Sequence, residues 1–295
     1  MAITYHAGRR IQGLSTDTKP TNVQSGSRFE ETDTRKIYYL DSNYVVSSVG
    51  LGSSADGTNN GATTSATGKV GSYAWSFDGS NDYVDLGTPI LGASGSTTAS
   101  FSFWSNLSST GFVYTDGNYI STSTWATTIE QLTNGNTRLF IASSGADGGG
   151  NYVTSTATVS AGWNHWVLTY DGSGSTNADK IKIYLNGSEV SGYLYNGTIP
   201  SSIKTVTPNA RIGALYTVAG NYFGGLIDEL AIFTRVLTST EISQLYNSGT
   251  GKSIQQAITD HSFSVTGLKA YYDFEQTSGD LINKAVTSAV WTEEV

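Results

Sequence analysis

The sequence contains no cysteine and no long apolar run. Without cysteine, disulfide bonds, thiolate metal sites and cysteine catalysis are excluded. No apolar run approaches the roughly 18 residues that a transmembrane helix needs, so no membrane insertion is predicted. The first ten residues also lack the basic and then apolar pattern of a signal peptide. We therefore expect that any role outside a cell depends on another route of export.

Charged residues are scarce, at 14% of the 295 residues, and acidic ones outnumber basic ones by 24 to 16. The net charge is −8, and no basic run or stripe is present, which argues against a nucleic-acid partner. What is abundant is glycine, with 34 residues, and tyrosine, with 18, in a background of serine, threonine and asparagine. This composition favours an all-β protein with short strands and many tight turns.

Four zones can be separated along the chain. Residues 1–50 form a comparatively charged module with a hairpin, Ser27–Glu31 and Lys36–Leu40. Residues 51–69 are rich in Gly, Ser and Thr and are predicted to be a linker or loop. Residues 70–250 carry strand after strand, and residues 251–295 form a tail with one further strand, 268–274.

The central zone has the alternation of antiparallel sheets. In Lys180–Leu185 the apolar residues occupy every second position, and Asn186-Gly187 follows as a favoured two-residue hairpin turn. One short surface helix is predicted after Thr238, because Thr238 and Glu241 have the spacing of a capping box and Gly249 would end the helix. The pattern predicts an antiparallel β-sandwich with a small N-terminal β-module.

Five segments in order resemble the signature of LamG-like, concanavalin A-like lectin and glucanase domains. They are Ser76-Phe-Asp-Gly-Ser-Asn-Asp-Tyr-Val-Asp-Leu-Gly87, Ser100-Phe-Ser-Phe-Trp104, Trp163-Asn-His-Trp-Val-Leu-Thr-Tyr-Asp171, Ile183-Tyr-Leu-Asn-Gly187, and Gly224–Phe233 with the following Arg235–Ile242. The resemblance covers roughly 170 residues, a typical domain size. It implies a concanavalin A-like jelly roll.

The family's first strand, Leu-x-Ala-Tyr-Tyr-x-Phe, is not found before the Gly-rich stretch. It occurs instead at Leu268–Phe274. We expect this tail segment to fill the first-strand position, in its own sandwich or in a neighbour's, since a missing strand would leave a sheet edge open. The alternative is that it begins a second, truncated domain.

The segment Gly26–Tyr39 resembles a small β-module of tailed-phage fibre and other virion appendage proteins. Together with the LamG-like resemblance, it implies a non-enzymatic virion surface structural protein, such as a fibre, spike or decoration subunit. The expected partners are other copies of the chain, as a homo-oligomer or trimer, other virion proteins, and host surface glycans. The alternatives are a cellular surface adhesin or lectin, placed extracellularly, and a glucanase-like glycoside hydrolase.

The hydrolase alternative needs two carboxyl groups at a fixed separation. Laminarinase-like relatives carry them on one strand as Glu-x-Asp-x-(x)-Glu, and no such triplet occurs in the predicted sandwich. The acidic cluster Glu30-Glu31-Thr-Asp33 lies in the N-terminal module and lacks the third carboxylate. His165 lies between two tryptophans in a predicted strand, where a structural role is expected. We therefore predict no enzymatic activity.

Calcium is the ligand ion that the resemblance implies, held by Asp side chains and backbone carbonyls as suits a hard cation. Asp228 is the first candidate ligand, followed by Asp78 and Asp82. The alternative is that Asp78 caps its turn, that Asp82 is solvated and that Asp228 bonds neighbouring backbone.

Glycan binding needs aromatic platforms beside polar groups on an exposed face or loop rim. Candidate platforms lie in or near polar loops and are Trp125, Tyr114, Tyr119, Tyr152 and Tyr195, with Tyr193 and Tyr216 as further members. Each of them has ordinary packing as its alternative role.

Overall fold

Strands dominate the structure, which is a computed structural model that describes residues 4–5, 10–17, 28–40, 55–93, 95–117, 125–142, 151–215, 221–261, 263–285 and 291–293. The chain divides into two compact units. One comprises Met1–Ser47 with Val286–Val295, and the other comprises Ser48–Ala285.

The smaller unit contains a five-stranded sheet of short strands in the order β1-β2-β3-β4-β21. Their bounds are β1 Thr4–Tyr5, β2 Arg10–Gly13, β3 Arg28–Glu31, β4 Ile37–Leu40 and β21 Trp291–Glu293. The predicted hairpin of β3 and β4 is confirmed, and Arg35 in its turn has a φ of 61°. The sequence did not indicate that β21 pairs with β4 and so closes this sheet from the far end of the chain.

The larger unit contains the remaining strands. In chain order they are β5 Thr58–Asn60, β6 Thr63–Thr67, β7 Tyr73–Asp78, β8 Tyr83–Asp85, β9 Thr98–Ser109, β10 Gly111–Gly117, β11 Trp125–Gln131, β12 Thr137–Ile141, β13 Tyr152–Ser155, β14 Trp163–Asp171, β15 Ile181–Leu185, β16 Ser188–Glu189, β17 Tyr193–Asn196, β18 Ala210–Ile212, β19 Gly224–Phe233 and β20 Leu268–Tyr272.

These strands form two stacked antiparallel sheets, as the sequence predicted. The front sheet has the order β17-β13-β12-β11-β10-β18-β8-β5, and the back sheet has the order β16-β15-β14-β9-β19-β7-β6. Alternate residues of each strand point into one shared core, where Trp75, Phe103, Trp166 and Tyr170 are fully buried. The Asn186-Gly187 turn between β15 and β16 has positive φ at both positions, as predicted.

Residues 51–69, which were expected to be a linker or loop, instead contain two strands, β5 and β6. β5 pairs with β8 at the edge of the front sheet, and β6 pairs with β7 at the edge of the back sheet. Both strands are polar and half-exposed, because an edge strand contributes little to the core. Without apolar residues at every second position, their sequence gave no strand signal.

The tail segment lies in the back sheet of its own chain. β20 pairs antiparallel with the second half of β19, whereas β7 pairs with the first half. Tyr272 and Phe274 are fully buried, and the Phe274 ring packs edge-on against Trp75 with 5.9 Å between ring centroids.

The predicted surface helix is α2, Ser239–Tyr246, with a reciprocal capping box between Thr238 and Glu241. It ends earlier than expected, because Asn247, with a φ of 47°, takes the left-handed position that was assigned to Gly249. Two further α-helices lie in the described part of the chain, α1 Asn177–Lys180 and α3 Ile254–His261, and a 3₁₀-helix, Asn247–Gly249, follows α2. Their few apolar residues explain why they were not predicted.

His165 is buried beneath α2, as a structural residue. Its Nε2 lies 3.0 Å from Ser102 Oγ, and its ring packs against both Trp104 and Tyr246, which also stack on each other with 5.9 Å between ring centroids. Burial lowers the pKa of His165 to about 3, so the ring is neutral at physiological pH. Among the described residues, no helix is long and apolar enough to cross a membrane.

Candidate functional site

The outward-facing side of the front sheet, here called the front face, carries polar and aromatic side chains on alternate residues of its strands. Leu139 and Val153 point into the core. Their chain neighbours Arg138, Phe140 and Tyr152 therefore point outward. Charged residues inside such strands are unusual, and on this face they form two groups of the same composition.

The first triad is Glu130, Arg138 and Tyr152, from β11, β12 and β13. Arg138 lies directly opposite Glu130 in the sheet and donates from Nη1 to Glu130 Oε2 at 2.9 Å. Its guanidinium carbon stands 4.4 Å from the centroid of the Tyr152 ring. Arg138 Nε also donates to Thr154 Oγ1 at 2.9 Å. Burial raises the pKa of Glu130, and Arg138 opposes this rise.

The second triad is Tyr83, Asp85 and Arg211, from β8 and β18. Tyr83 and Asp85 are two residues apart on one strand and so share a face. The guanidinium carbon of Arg211 lies 4.2 Å from the Tyr83 centroid, and its Nη2 is 3.5 Å from Asp85 Oδ2. Asn209 donates from Nδ2 to Asp85 Oδ1 at 2.9 Å.

Each triad presents a hydrogen-bond acceptor, a planar donor and an aromatic ring to the solvent side. The side chains of Glu130, Arg138, Asp85 and Arg211 remain 14–24% exposed. Between the strands of Tyr152 and Tyr83 lie four other strands, which places them about 24 Å apart at ~4.8 Å per strand. The front face is therefore an elongated surface with one triad toward each end.

The predicted glycan contacts divide between this face and other places. Tyr152 is half-buried in the first triad, whereas Tyr195 is 42% exposed on the edge strand β17. Tyr195 lies opposite the core residue Val153 and so points away from the front face. Tyr193 lies beside Tyr195, with 5.9 Å between ring centroids.

Two of the predicted contacts need correction. Tyr114 is fully buried in the core between the sheets, so it cannot stack on a sugar from solvent. Trp125 is 1% exposed, and its ring packs edge-on against Phe140 at 6.2 Å. Tyr119 and Tyr216 lie outside the described residues.

The three predicted calcium ligands do not come together. Asp78 accepts from the backbone amides of Ser80 and Asn81, and Asp82 accepts from the amide of Asp78, so both shape one hairpin. Asp228 lies elsewhere, in β19, and its side chain reaches the turn before β7. In the described part of the chain, no three His, Asp or Glu residues are arranged to hold a metal ion. These aspartates therefore do not fit a shared calcium centre.

The Asp228 side chain binds the backbone of the turn that precedes β7. Its Oδ2 accepts from the amides of Lys69 and Val70, each at 2.9 Å, and its side chain is fully buried. The next residue, Glu229, has a φ of 55° at a bulge in β19 and accepts from the Tyr271 hydroxyl at 2.5 Å. Burial raises the pKa of both carboxyl groups. The charge of Glu275 adds to both rises, and the charge of Asp228 adds to that of Glu229.

Sequence reasoning missed the charged members of both triads. A signal was present, since Glu130, Arg138 and Asp85 occupy polar positions in strands whose other residues are apolar or β-branched. Their pairing depends on the register between strands that are distant in the sequence, as between Asp85 and Arg211. That register is not readable from local pattern.

Comparison with solved structures finds relatives of low identity. Domain 4 of AbnA, a GH43 extracellular arabinanase from Geobacillus stearothermophilus in complex with arabinotriose, is 22% identical, with 63% of this chain and 80% of that chain covered and a TM-score of 0.42. A heptameric SAP-like pentraxin from Limulus polyphemus is 13% identical, with 71% and 93% covered and a TM-score of 0.44. The CBM40 of a Ruminococcus gnavus IT-sialidase, bound to α2,3-sialyllactose, is 14% identical, with 54% and 90% covered and a TM-score of 0.41.

Comparison with curated protein sequences finds no match. The family model Laminin_G_3, described as the concanavalin A-like lectin/glucanases superfamily, matches residues 78–243, which is more than half of the chain. This match begins at the β7–β8 hairpin, ends inside α2 and includes both triads of the front face. The chain belongs to the concanavalin A-like lectin/glucanases superfamily.

Proposed function

We propose that this chain is a non-enzymatic structural protein of a virion surface, a fibre, spike or decoration subunit, whose sandwich binds host glycans through the front face. The observation that carries the glycan-binding part is the pair of acid–arginine–tyrosine triads. The separate compact unit formed by both chain ends supports the other part, since it is a candidate for attachment to further virion proteins.

The chemistry of the triads suits sugars. A saccharide offers hydroxyl groups on its edges and C–H groups on its faces, so it is recognised by polar side chains beside aromatic rings. Glu130 and Asp85 supply acceptors, Arg138 and Arg211 supply planar donors, and the tyrosines supply rings. Because the residues lie on sheet strands, the groups are held in place before the ligand arrives.

The spacing of the carboxylates favours binding over hydrolysis. A glycosidase places its two carboxyl groups at roughly 5–9.5 Å around the scissile bond. The strands of Glu130 and Asp85 are three positions apart in the front sheet, or about 14 Å. The adjacent carboxyl groups of Asp228 and Glu229 are buried and engaged by backbone amides and Tyr271.

The glycan-binding part is tested by screening the full chain on a glycan array and measuring the best ligand by calorimetry. We expect Tyr152→Ala to weaken binding at least about tenfold, as for an aromatic side chain at the centre of a contact. Tyr195→Ala is the matched control, since it removes an exposed tyrosine from the neighbouring strand that points away from the face.

Two outcomes would contradict this assignment. Loss of binding in Tyr195→Ala with unchanged binding in Tyr152→Ala would move the site to the sandwich edge. A blank array would instead point to a purely architectural role. Repeating the measurement with a chelator tests the calcium prediction, since a calcium-dependent site would lose its affinity.

The virion part is tested on purified particles. Immunogold labelling or mass spectrometry is expected to find the chain on the particle surface, and its native mass is expected to be that of a homo-oligomer, with a trimer as the leading expectation. Labelling of cells and not of particles would favour the alternative, a cellular surface adhesin or lectin.

A further inference from the structure

We infer that the front face selects neutral glycans and rejects acidic ones. The inference rests on the proposed function, since it names the class of ligand that this face would take. It follows from the charge balance of the triads, in which each arginine already faces a carboxylate across neighbouring strands.

The arginines are the groups that would attract an acidic sugar. Arg138 donates to Glu130 at 2.9 Å, and Arg211 lies 3.5 Å from Asp85. An arginine that recognises an anionic ligand usually offers its planar fork to that ligand. Here part of each fork is directed at a carboxylate of the protein. A ligand carboxylate or sulfate would have to approach that carboxylate at close range or displace it.

The environment makes such an exchange unfavourable. The four charged side chains are mostly buried, so their interactions are screened by solvent less than those of fully exposed pairs. Each guanidinium is also held over a tyrosine ring, at 4.4 Å for Arg138 and 4.2 Å for Arg211. It therefore cannot turn toward an incoming anion without losing this stacking. The whole chain adds a net charge of −8, which repels anions at longer range.

A neutral sugar meets none of these obstacles. Its hydroxyl groups donate to Glu130 and Asp85, whose ionised carboxylates each have about four lone-pair positions, and they accept from the guanidinium groups. A hydroxyl group does both at once, which suits a face where acceptor and donor lie side by side. The carboxylates thus serve as acceptors for the ligand and as a barrier against anions.

The test uses pairs of oligosaccharides that differ only in one acidic group, such as a galactose-terminated glycan and the same glycan after sialylation or sulfation. Calorimetry with the full chain is expected to show at least tenfold tighter binding of the neutral member. Its affinity is expected to change less than twofold between 50 mM and 500 mM NaCl, because no net charge is matched on binding.

Two variants remove the carboxylate charge that balances an arginine without changing side-chain shape, Glu130→Gln and Asp85→Asn. Each is expected to weaken binding of the neutral glycan and to shift the ratio of neutral to acidic affinity at least fivefold toward the acidic member. Asp260→Asn is the control, because it removes the same charge from an exposed carboxylate on α3 that pairs with Lys252. Circular dichroism and melting temperature report whether the variants are folded.

The outcomes separate the two proposals. Tighter binding of the acidic member by the unmodified chain, weakened by salt, would overturn the inference and leave the glycan-binding proposal standing. Binding that is indifferent to the acidic group, in the chain and in both variants, would also overturn it. Absence of binding to any glycan would remove the glycan-binding part of the proposed function and the inference with it. If a variant does not fold, the salt dependence of the unmodified chain decides.

Discussion

At the scale of single residues, the adjacent carboxyl groups of Asp228 and Glu229 govern how stability depends on pH. Burial holds the pKa of both above the ordinary values of 3.8 and 4.5, and the negative charge of Asp228 raises that of Glu229 further. A carboxyl group with a raised pKa in the folded state stabilises the fold fully only below its ordinary pKa. This contribution is lost as the pH rises through the folded value. Asp228, whose pKa is raised to about 7, therefore weakens the fold as the pH rises from about 4 to neutrality.

Asp228→Asn is expected to remove much of this loss, because the amide keeps the shape and an acceptor for the amides of Lys69 and Val70 but does not ionise. Relative to the unmodified chain, the free energy of unfolding of the variant should rise as the pH increases from 4 to 8. The rise should be about 1.4 kcal/mol for each unit by which folding raises the pKa. Urea denaturation at a series of pH values measures the difference.

Asp260→Asn serves as the comparison for this experiment. A hydrogen bond from Lys252 lowers the pKa of Asp260. The change with pH in the free energy of unfolding of Asp260→Asn, relative to the unmodified chain, should therefore be small and opposite in sign. If the free energies of unfolding of Asp228→Asn and of the unmodified chain differ by the same amount from pH 4 to pH 8, Asp228 does not titrate in this way.

At the scale of elements, the tail strand β20 is part of the sandwich core although it is separated from most core strands by two helices. It pairs with β19, and the residues that follow it return to the other edge of the sandwich, where Leu281 bridges Gly57. Asp280 and Asn283 also bond the segment around Asp56 and Asn59. The tail therefore forms hydrogen bonds with both sheets of the sandwich.

Phe274→Ala tests this role of the tail. Phe274 is fully buried and packs on Trp75, so its truncation leaves a cavity in the shared core. We expect a loss of about 3–5 kcal/mol in the free energy of unfolding. Lys269→Ala changes an exposed position of the same strand and should alter stability by less than about 0.5 kcal/mol. Similar small effects of both changes in denaturant titrations would mean that the tail does not contribute to the core.

Elements with strong local signals were predictable, and those set by tertiary pairing were not. The alternation of Ile181, Ile183 and Leu185 and the capping box of Thr238 are local patterns, and both are confirmed. β5 and β6 were missed because polar edge strands carry no apolar periodicity. The triads were missed because the partners of Arg211 and Arg138 are chosen by strand register, which a single sequence does not state.

At the scale of the whole molecule, the two compact units imply that the sandwich carries its own core. The large apolar cluster lies within Ser48–Ala285. We expect this fragment, expressed alone, to unfold in one cooperative transition and to keep the glycan affinity of the full chain. Near-ultraviolet circular dichroism and calorimetry measure the two properties. An aggregated or molten fragment would show that the smaller unit is needed for the sandwich to fold.

The pairing of β21 with β4 has a consequence for biosynthesis. The smaller sheet takes strands from residues 4–40 and from residues 291–293, so the ribosome makes the entire sandwich before it makes the last strand of this sheet. At ordinary rates of translation this delay is on the order of 10–50 s. During that interval the outer side of β4 is an unpaired edge. The smaller sheet therefore stays incomplete until the whole sandwich has been synthesised, and a chain truncated near its end would expose that edge to other molecules.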